Sequence, residues 1–194
     1  MVRMKVFGGG ASAVFAATVL ATLASMAPAN AEPASRTCRT AQLHVWVTRT
    51  GAAAGTVGGY LAFTNRSRTL CAMRGWPTLT AVRPGVSSTA IRVRETMFGP
   101  HVRVGGTWRH VRGVPRVRLE HGQTAVAAFT GGDNPGPGET VCPPAYRSFR
   151  VTPPGNVASA VTRAWIGWLG RNMPSCSRIE VSMVVPASDL PPRG

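Results

Sequence analysis

The chain predicts an all-β fold, an antiparallel sandwich braced by two disulfides, on three observations. Apolar and polar residues alternate in short runs broken by Gly and Pro, and no long segment carries a 3.6-residue apolar period. Four widely spaced cysteines, Cys38, Cys71, Cys142 and Cys176, lack the close pairs of a zinc site. The amino terminus has the pattern of an export signal, which places those cysteines in an oxidising compartment.

The signal comes first in the chain. Arg3 and Lys5 give a basic start, Ala11 to Ala27 is apolar, and Ala29-Asn30-Ala31 is a small-x-small cleavage site. The expected cut lies between Ala31 and Glu32, dividing the chain into a signal peptide, 1–31, and a single secreted sandwich domain, 32–194. The apolar run is shorter than the roughly twenty residues a membrane span needs and ends at Pro28, so cleavage is expected over retention. Ser35-Arg36-Thr37 before Cys38 is not a lipid-attachment sequence, and no later segment is apolar enough to span.

Leu43, Val45 and Val47 alternate with His44, Trp46 and Thr48 in a half-buried strand. A small-residue turn at Gly51 to Gly55 leads to a second strand, Val57 to Asn65, with Leu61 and Phe63 on one face. If these strands form a hairpin, Cys38 before the first lies near Cys71 after the second, which favours that pair among the three possible pairings. Gly75-Trp76-Pro77 and Pro84-Gly85 punctuate strands at Leu79 to Val82 and Thr89 to Arg94. Residues 101–119 alternate apolar and basic, Gln123 to Thr130 is a strand, and the breaker-rich run from Gly131 to Gly138 is a loop. A strand holding Phe149 and Val151 returns antiparallel through Val157 to Ile166, bringing Cys176 to the end where Cys142 lies. Ile179, Val181, Met183 and Val185 alternate as a final strand.

Seven Asp and Glu stand against 22 Lys and Arg, for a formal net charge of +15, and beyond Lys5 the chain uses arginine alone among its strong bases. Such a field attracts polyanions, and guanidinium groups grip oxyanions bidentately. Coding bias toward Arg accounts for the absence of Lys, and less well for the excess of base over acid.

Cys38, the Ala/Gly turn at 51–55, Phe63-Thr64-Asn65, Cys71, Gly75-Trp76-Pro77, Leu119 to Ala125, Cys142, Val151 to Gly155, Cys176 and the last strand resemble, in order, a family of exported actinobacterial proteins, domain of unknown function 4232. His121 stands where that family usually has Pro. The resemblance implies an immunoglobulin-like sandwich with paired cysteines, exported or lipid-anchored. It implies no activity, cofactor or catalytic residue, because the family has none established.

The candidate site is an anion-binding segment formed by Arg92, Arg94, Arg103, Arg109, Arg112, Arg116 and Arg118, with His101 and His110 among them. Arg92/Arg94 and Arg116/Arg118 are spaced to face one side of a strand; aligned, they make a stripe for a polyanion. The plainer reading, a solvated face balanced by Glu95 and Glu120 across the sheet, weighs more. An anionic cell-envelope polymer or a protein suits the compartment better than nucleic acid. Trp165 and Trp168 are expected to be buried between the sheets, with a sugar or partner platform as the exposed alternative. Asp133, Asn134 and Glu139 could hold calcium weakly but more often such residues satisfy turn amides. Asn65-Arg66-Ser67 is a glycosylation sequon by pattern. His44, His101, His110 and His121 have no neighbouring nucleophile motif, and no cofactor-binding or metal-ligating pattern is present. The expectation is a non-enzymatic binding module of the cell envelope; a hydrolase with a loop-built site and a structural accessory are the alternatives.

Overall fold

The longest ladder joins the segments with the clearest apolar patterning. The computed structural model describes residues 35–99, 101–104, 107–138 and 140–189, with the side chains at 101–104, 107–110 and 189 outside the description. The expected cleavage site at Ala31 and Glu32 also lies outside the described residues. Numbering strands along the chain, β2 (Leu43–Ala53) pairs antiparallel with β3 (Thr56–Asn65), and β3 pairs with β11 (Thr124–Gly132) through nine residues, Thr64↔Thr124 to Thr56↔Gly132. Short strands β16 (Glu180–Val181), β7 (Ile91–Arg92) and β17 (Val185–Pro186) complete a six-stranded sheet.

A four-stranded sheet, β13 (Ala160–Arg163), β12 (Ser148–Thr152), β5 (Thr78–Arg83) and β6 (Val86–Thr89), packs against it. Leu61, Phe63 and Phe129 meet Leu79, Ala81, Phe149 and Val151 in one buried cluster, with Phe129 edge-on to Phe149 at 5.2 Å between ring centroids. Edge-to-face packing at this spacing stabilises such a core beyond the burial itself. Across one end lies a third sheet, β1 (Arg36–Thr37), β4 (Cys71–Arg74) and β10 (Arg116–Leu119). Two hairpins remain, β8 (His101–Val104) with β9 (Thr107–His110), and β14 (Trp165–Ile166) with β15 (Arg171–Asn172). Among the described residues only β1–β4 and β7–β16 pair in parallel. Among the described residues the sole helical elements are three-residue 3₁₀ turns, and no helix is long and apolar enough to cross a membrane. The fold is the antiparallel, immunoglobulin-like sandwich that the sequence predicts, with both expected disulfides, Cys38–Cys71 and Cys142–Cys176.

Three segments depart from the expected strands. The β2–β3 hairpin closes more tightly than a turn over 51–55, because only Ala54 and Gly55 leave the ladder, both at positive φ. Arg49 and Thr50 together face the single Gly59, a bulge with Arg49 at φ 46°. The strand expected over Thr89 to Arg94 is split at Ala90: Thr89 pairs in the four-stranded sheet, while Ile91 and Arg92 pair with β16 in the six-stranded one. The last strand is also interrupted. Buried Ser182 exchanges hydrogen bonds with Ala128, and the Val184 N–H leaves the sheet to reach the Gly75 carbonyl. Met183 therefore packs on the outer face with Tyr60, Ala62 and Trp76, while Val181 and Val184 join the main core.

Candidate functional site

The strand switch at Ala90 decides the geometry of the basic segment. Arg92, on β7, donates from its guanidinium to the Thr78 hydroxyl at 3.1 Å, and Arg94 follows it, exposed. Arg116 and Arg118 lie on β10, exposed and alternating with buried Val117 and Leu119. Arg92 thus lies in a different sheet from Arg116 and Arg118, Arg94 lies beyond the end of β7, and the two pairs do not align across one sheet. Arg112 is exposed on the connection before β10. Arg103 and Arg109 sit at successive register positions of the β8–β9 hairpin, opposite Trp108 and Val102. Of the acidic residues, Glu95 accepts the Val111 N–H, and Glu120 is at the turn into β11, its N–H held by the Gln123 side chain.

The structure gathers other arginines around Arg116 and Arg118. Arg74 on β4 stands directly opposite Arg116. Like charges so placed repel, and the two guanidiniums part, Arg74 donating to the Val114 carbonyl and Arg116 to the Ser35 carbonyl. β1 brings Arg36 alongside Cys71, and Arg39 follows Cys38. A cleft of about 340 Å³ opens here, lined by Arg36, Arg39, Gln42, Thr69 and Leu70 among others. Exposed Arg66 and Arg68 lie on the loop that forms its far wall, and the Arg66 N–H is bonded to the Gln42 carbonyl. Arg36, Arg39, Arg66, Arg68 and Arg74 were not singled out from sequence. Their signal was present, since they flank Cys38 and Cys71, which pairing brings together.

Two asparagines hold this end in shape. Asn65 is fully buried; its amide donates to the Thr69 and Leu119 carbonyls, while its oxygen accepts from the Ser67 N–H and hydroxyl. The apparent sequon is therefore a structural node whose nitrogen faces inward. Asn156 donates to the Cys38 carbonyl at 2.8 Å and accepts from the Thr40 N–H at 3.0 Å, fastening the arginine-bearing lead-in to the turn after β12.

At the opposite end of β3 and β11, Gly132 is bonded to Ser177, and a cleft of about 230 Å³ is lined by Asp133, Cys142, Arg171, Asn172 and Cys176. Asp133 Oδ1 is buried here without a hydrogen-bond partner. Glu139, the third residue of the proposed calcium loop, lies outside the described residues, and no cluster of three His, Cys, Asp or Glu forms among those described. The tryptophans overturn their expected burial: Trp165 is 41% and Trp168 73% exposed. Phe63, Phe129, Phe149, Leu61 and Met173 fill the core instead. His44 is exposed and stacks on Trp46, and His121, next to Glu120 in the chain, contacts the Ser67 carbonyl. Buried Ser182 is committed to Ala128 and Met183.

No curated protein and no solved structure shows significant similarity to the chain. One family profile matches residues 38–184, from the first cysteine of the arginine end to the strand that closes the sandwich, so the chain belongs to the family described as Domain of unknown function (DUF4232).

Proposed function

We propose that the protein is an exported, non-enzymatic binding module that takes an anionic polymer of the cell envelope at its arginine end. The observation that carries this reading is convergence: Arg36, Arg74, Arg116 and Arg118 meet on the sheet that holds Cys71, Arg39 follows its partner Cys38, and Arg66 and Arg68 are exposed on the loop leading into that sheet. A polyanion that neutralises several of these charges gains affinity by releasing counterions. The scaffold is rigid because Asn65 and Asn156 fix the loops, so little ordering is needed on binding. Two disulfides fit an oxidising compartment, in agreement with the leader-like amino terminus.

The test is retention of the oxidised domain on isolated cell-wall fractions. Binding at about 50 mM salt should be lost by about 500 mM, where screening is short-ranged. Changing Arg36, Arg39, Arg66 and Arg68 together to Gln should abolish retention while leaving thermal stability intact. Arg92→Ala with Arg94→Ala should weaken it less, because Arg92 lies on another sheet and Arg94 beyond the end of its strand. Salt-insensitive retention, or full retention by the quadruple variant, would overturn the reading.

A further inference from the structure

The hairpin between β13 and β15 sorts its side chains unusually sharply. Ala164, Ile166 and Met173 are fully buried and Leu169 packs against the core, yet Trp168 between them is 73% exposed. The indole is not left out by a loose loop. Gly167–Leu169 forms a 3₁₀ turn closed by Gly170, at φ 59°, whose N–H donates to the Gly167 carbonyl. The Trp168 N–H donates to the Thr50 hydroxyl at 3.2 Å, so the β2 bulge anchors the turn from below. Nearby, the Arg163 guanidinium lies 5.3 Å from the centroid of the Trp165 ring, within cation–π range. Arg171 is exposed opposite Ile166, and the stretch from Asn156 to Cys176 contains no Asp or Glu.

We infer that Trp168, with Trp165 and Arg163, is a stacking platform for a saccharide ring bearing an acidic substituent. A rigid, exposed indole offers a flat apolar face to the C–H groups of a pyranose and loses little entropy when covered. Arg163 supplies the cation for a carboxylate or sulfate on the ring, and no carboxylate on the hairpin competes for it. Exposed Val157 and Val161 add apolar surface on the same segment while Ile166 and Leu169 point in, so the charge on Arg163 and Arg171, rather than aliphatic area, sets the class of ligand. The platform lies at the Cys142–Cys176 end, with the arginine cluster around Cys38–Cys71, so the two surfaces can be tested separately.

The oxidised domain would be titrated, by tryptophan fluorescence and calorimetry, with hexagalacturonate and a sulfated xylohexaose. Their neutral parents and phosphatidylglycerol vesicles serve as controls. At least one acidic hexasaccharide should bind, and Trp168→Ala should lower its affinity about tenfold with no change in thermal midpoint, as expected for loss of one stacked ring. Arg163→Gln should reduce the preference for acidic over neutral sugar. In the quadruple arginine-end background Trp168→Ala should still lower the affinity about tenfold, which separates this result from the polymer test. Three outcomes would each overturn the inference: no saccharide binding, equal affinity for acidic and neutral sugars, or binding to vesicles alone.

Discussion

The two ends of the β3–β11 ladder carry the same crosslink in different surroundings. Cys38 and Cys71 are 0% and 1% exposed and belong to the core, with Cys71 in a strand paired on both sides. Cys142 and Cys176 are half-buried between loops rich in proline, beside a cleft. Around the first pair, side-chain amides satisfy the loop carbonyls and the surface is arginine. Around the second, the Ser175 hydroxyl donates to the Pro143 and Pro144 carbonyls at the surface, and an indole is exposed. A disulfide inside a sheet acts as a packed core residue, whereas one between loops acts mainly as a tether. The arginine-rich end is the one whose disulfide is built into a sheet.

The largest effect should come from cutting the tethers one at a time. Sequence separations of 33 and 34 make the chain-entropy contributions nearly equal, about 3–4 kcal/mol each. Packing then decides the difference. Cys38→Ala with Cys71→Ala should cost about 1–2 kcal/mol more than Cys142→Ala with Cys176→Ala, because it also leaves a core void. Denaturant unfolding of both double variants measures this. Equal losses would mean that the buried disulfide contributes nothing beyond its tether.

Next in size is Asn65→Ala, which leaves the Thr69 and Leu119 carbonyls and the Ser67 N–H without their partner. Losing a buried, fully bonded amide should cost about 2–3 kcal/mol. Asn156→Ala, at a partly buried site, should cost about 1 kcal/mol and loosen the lead-in bearing Arg36 and Arg39. Hydrogen exchange at Thr40 and Ser67 would locate each loss. If Asn65→Ala behaved like a neutral surface change, the arginine end would not be fastened in this way.

Much of the fold was legible because alternation reports burial directly. Leu43/Val45 and Leu61/Phe63 face the core as their spacing requires, and the hairpin they form sets Cys38 beside Cys71. What escaped was non-local. The pattern from Thr89 to Arg94 continues smoothly while the strand changes sheets at Ala90, because a change of hydrogen-bonding partner leaves no mark on periodicity. Ser182 sits in an alternating run, yet its hydroxyl bonds to Ala128 and bends the chain. Trp165 and Trp168 have the size and apolarity of core residues, yet Phe and Met residues already fill the space and leave both indoles exposed. The arginine end was hidden for a different reason. Its members are scattered from Arg36 to Arg118, and the disulfide and the pairing of β4 with β1 and β10 join them.

The smallest effect probes the middle of the ladder, where neither end dominates. Tyr60 lies on the outer face of β3 beneath residues 95–99, its hydroxyl donating to the Phe98 carbonyl. Burial pushes its phenol above the ordinary value near 10, with the Arg49 charge opposing in part. The folded state therefore holds a proton that the unfolded chain releases at about pH 10. This contribution is fully present below that pH and is lost as pH rises through the raised folded value. Arginine stays charged throughout, and the described residues contain neither lysine nor free cysteine to titrate in that window. Tyr60→Phe should be less stable at neutral pH by about 1 kcal/mol for the lost hydrogen bond, and should lose less stability than wild type above pH ~10. Parallel unfolding curves for the two proteins across pH 8–11 (about the accessible range) would show that Tyr60 is not sealed beneath Phe98, and that the outer face opens between the two fastened ends.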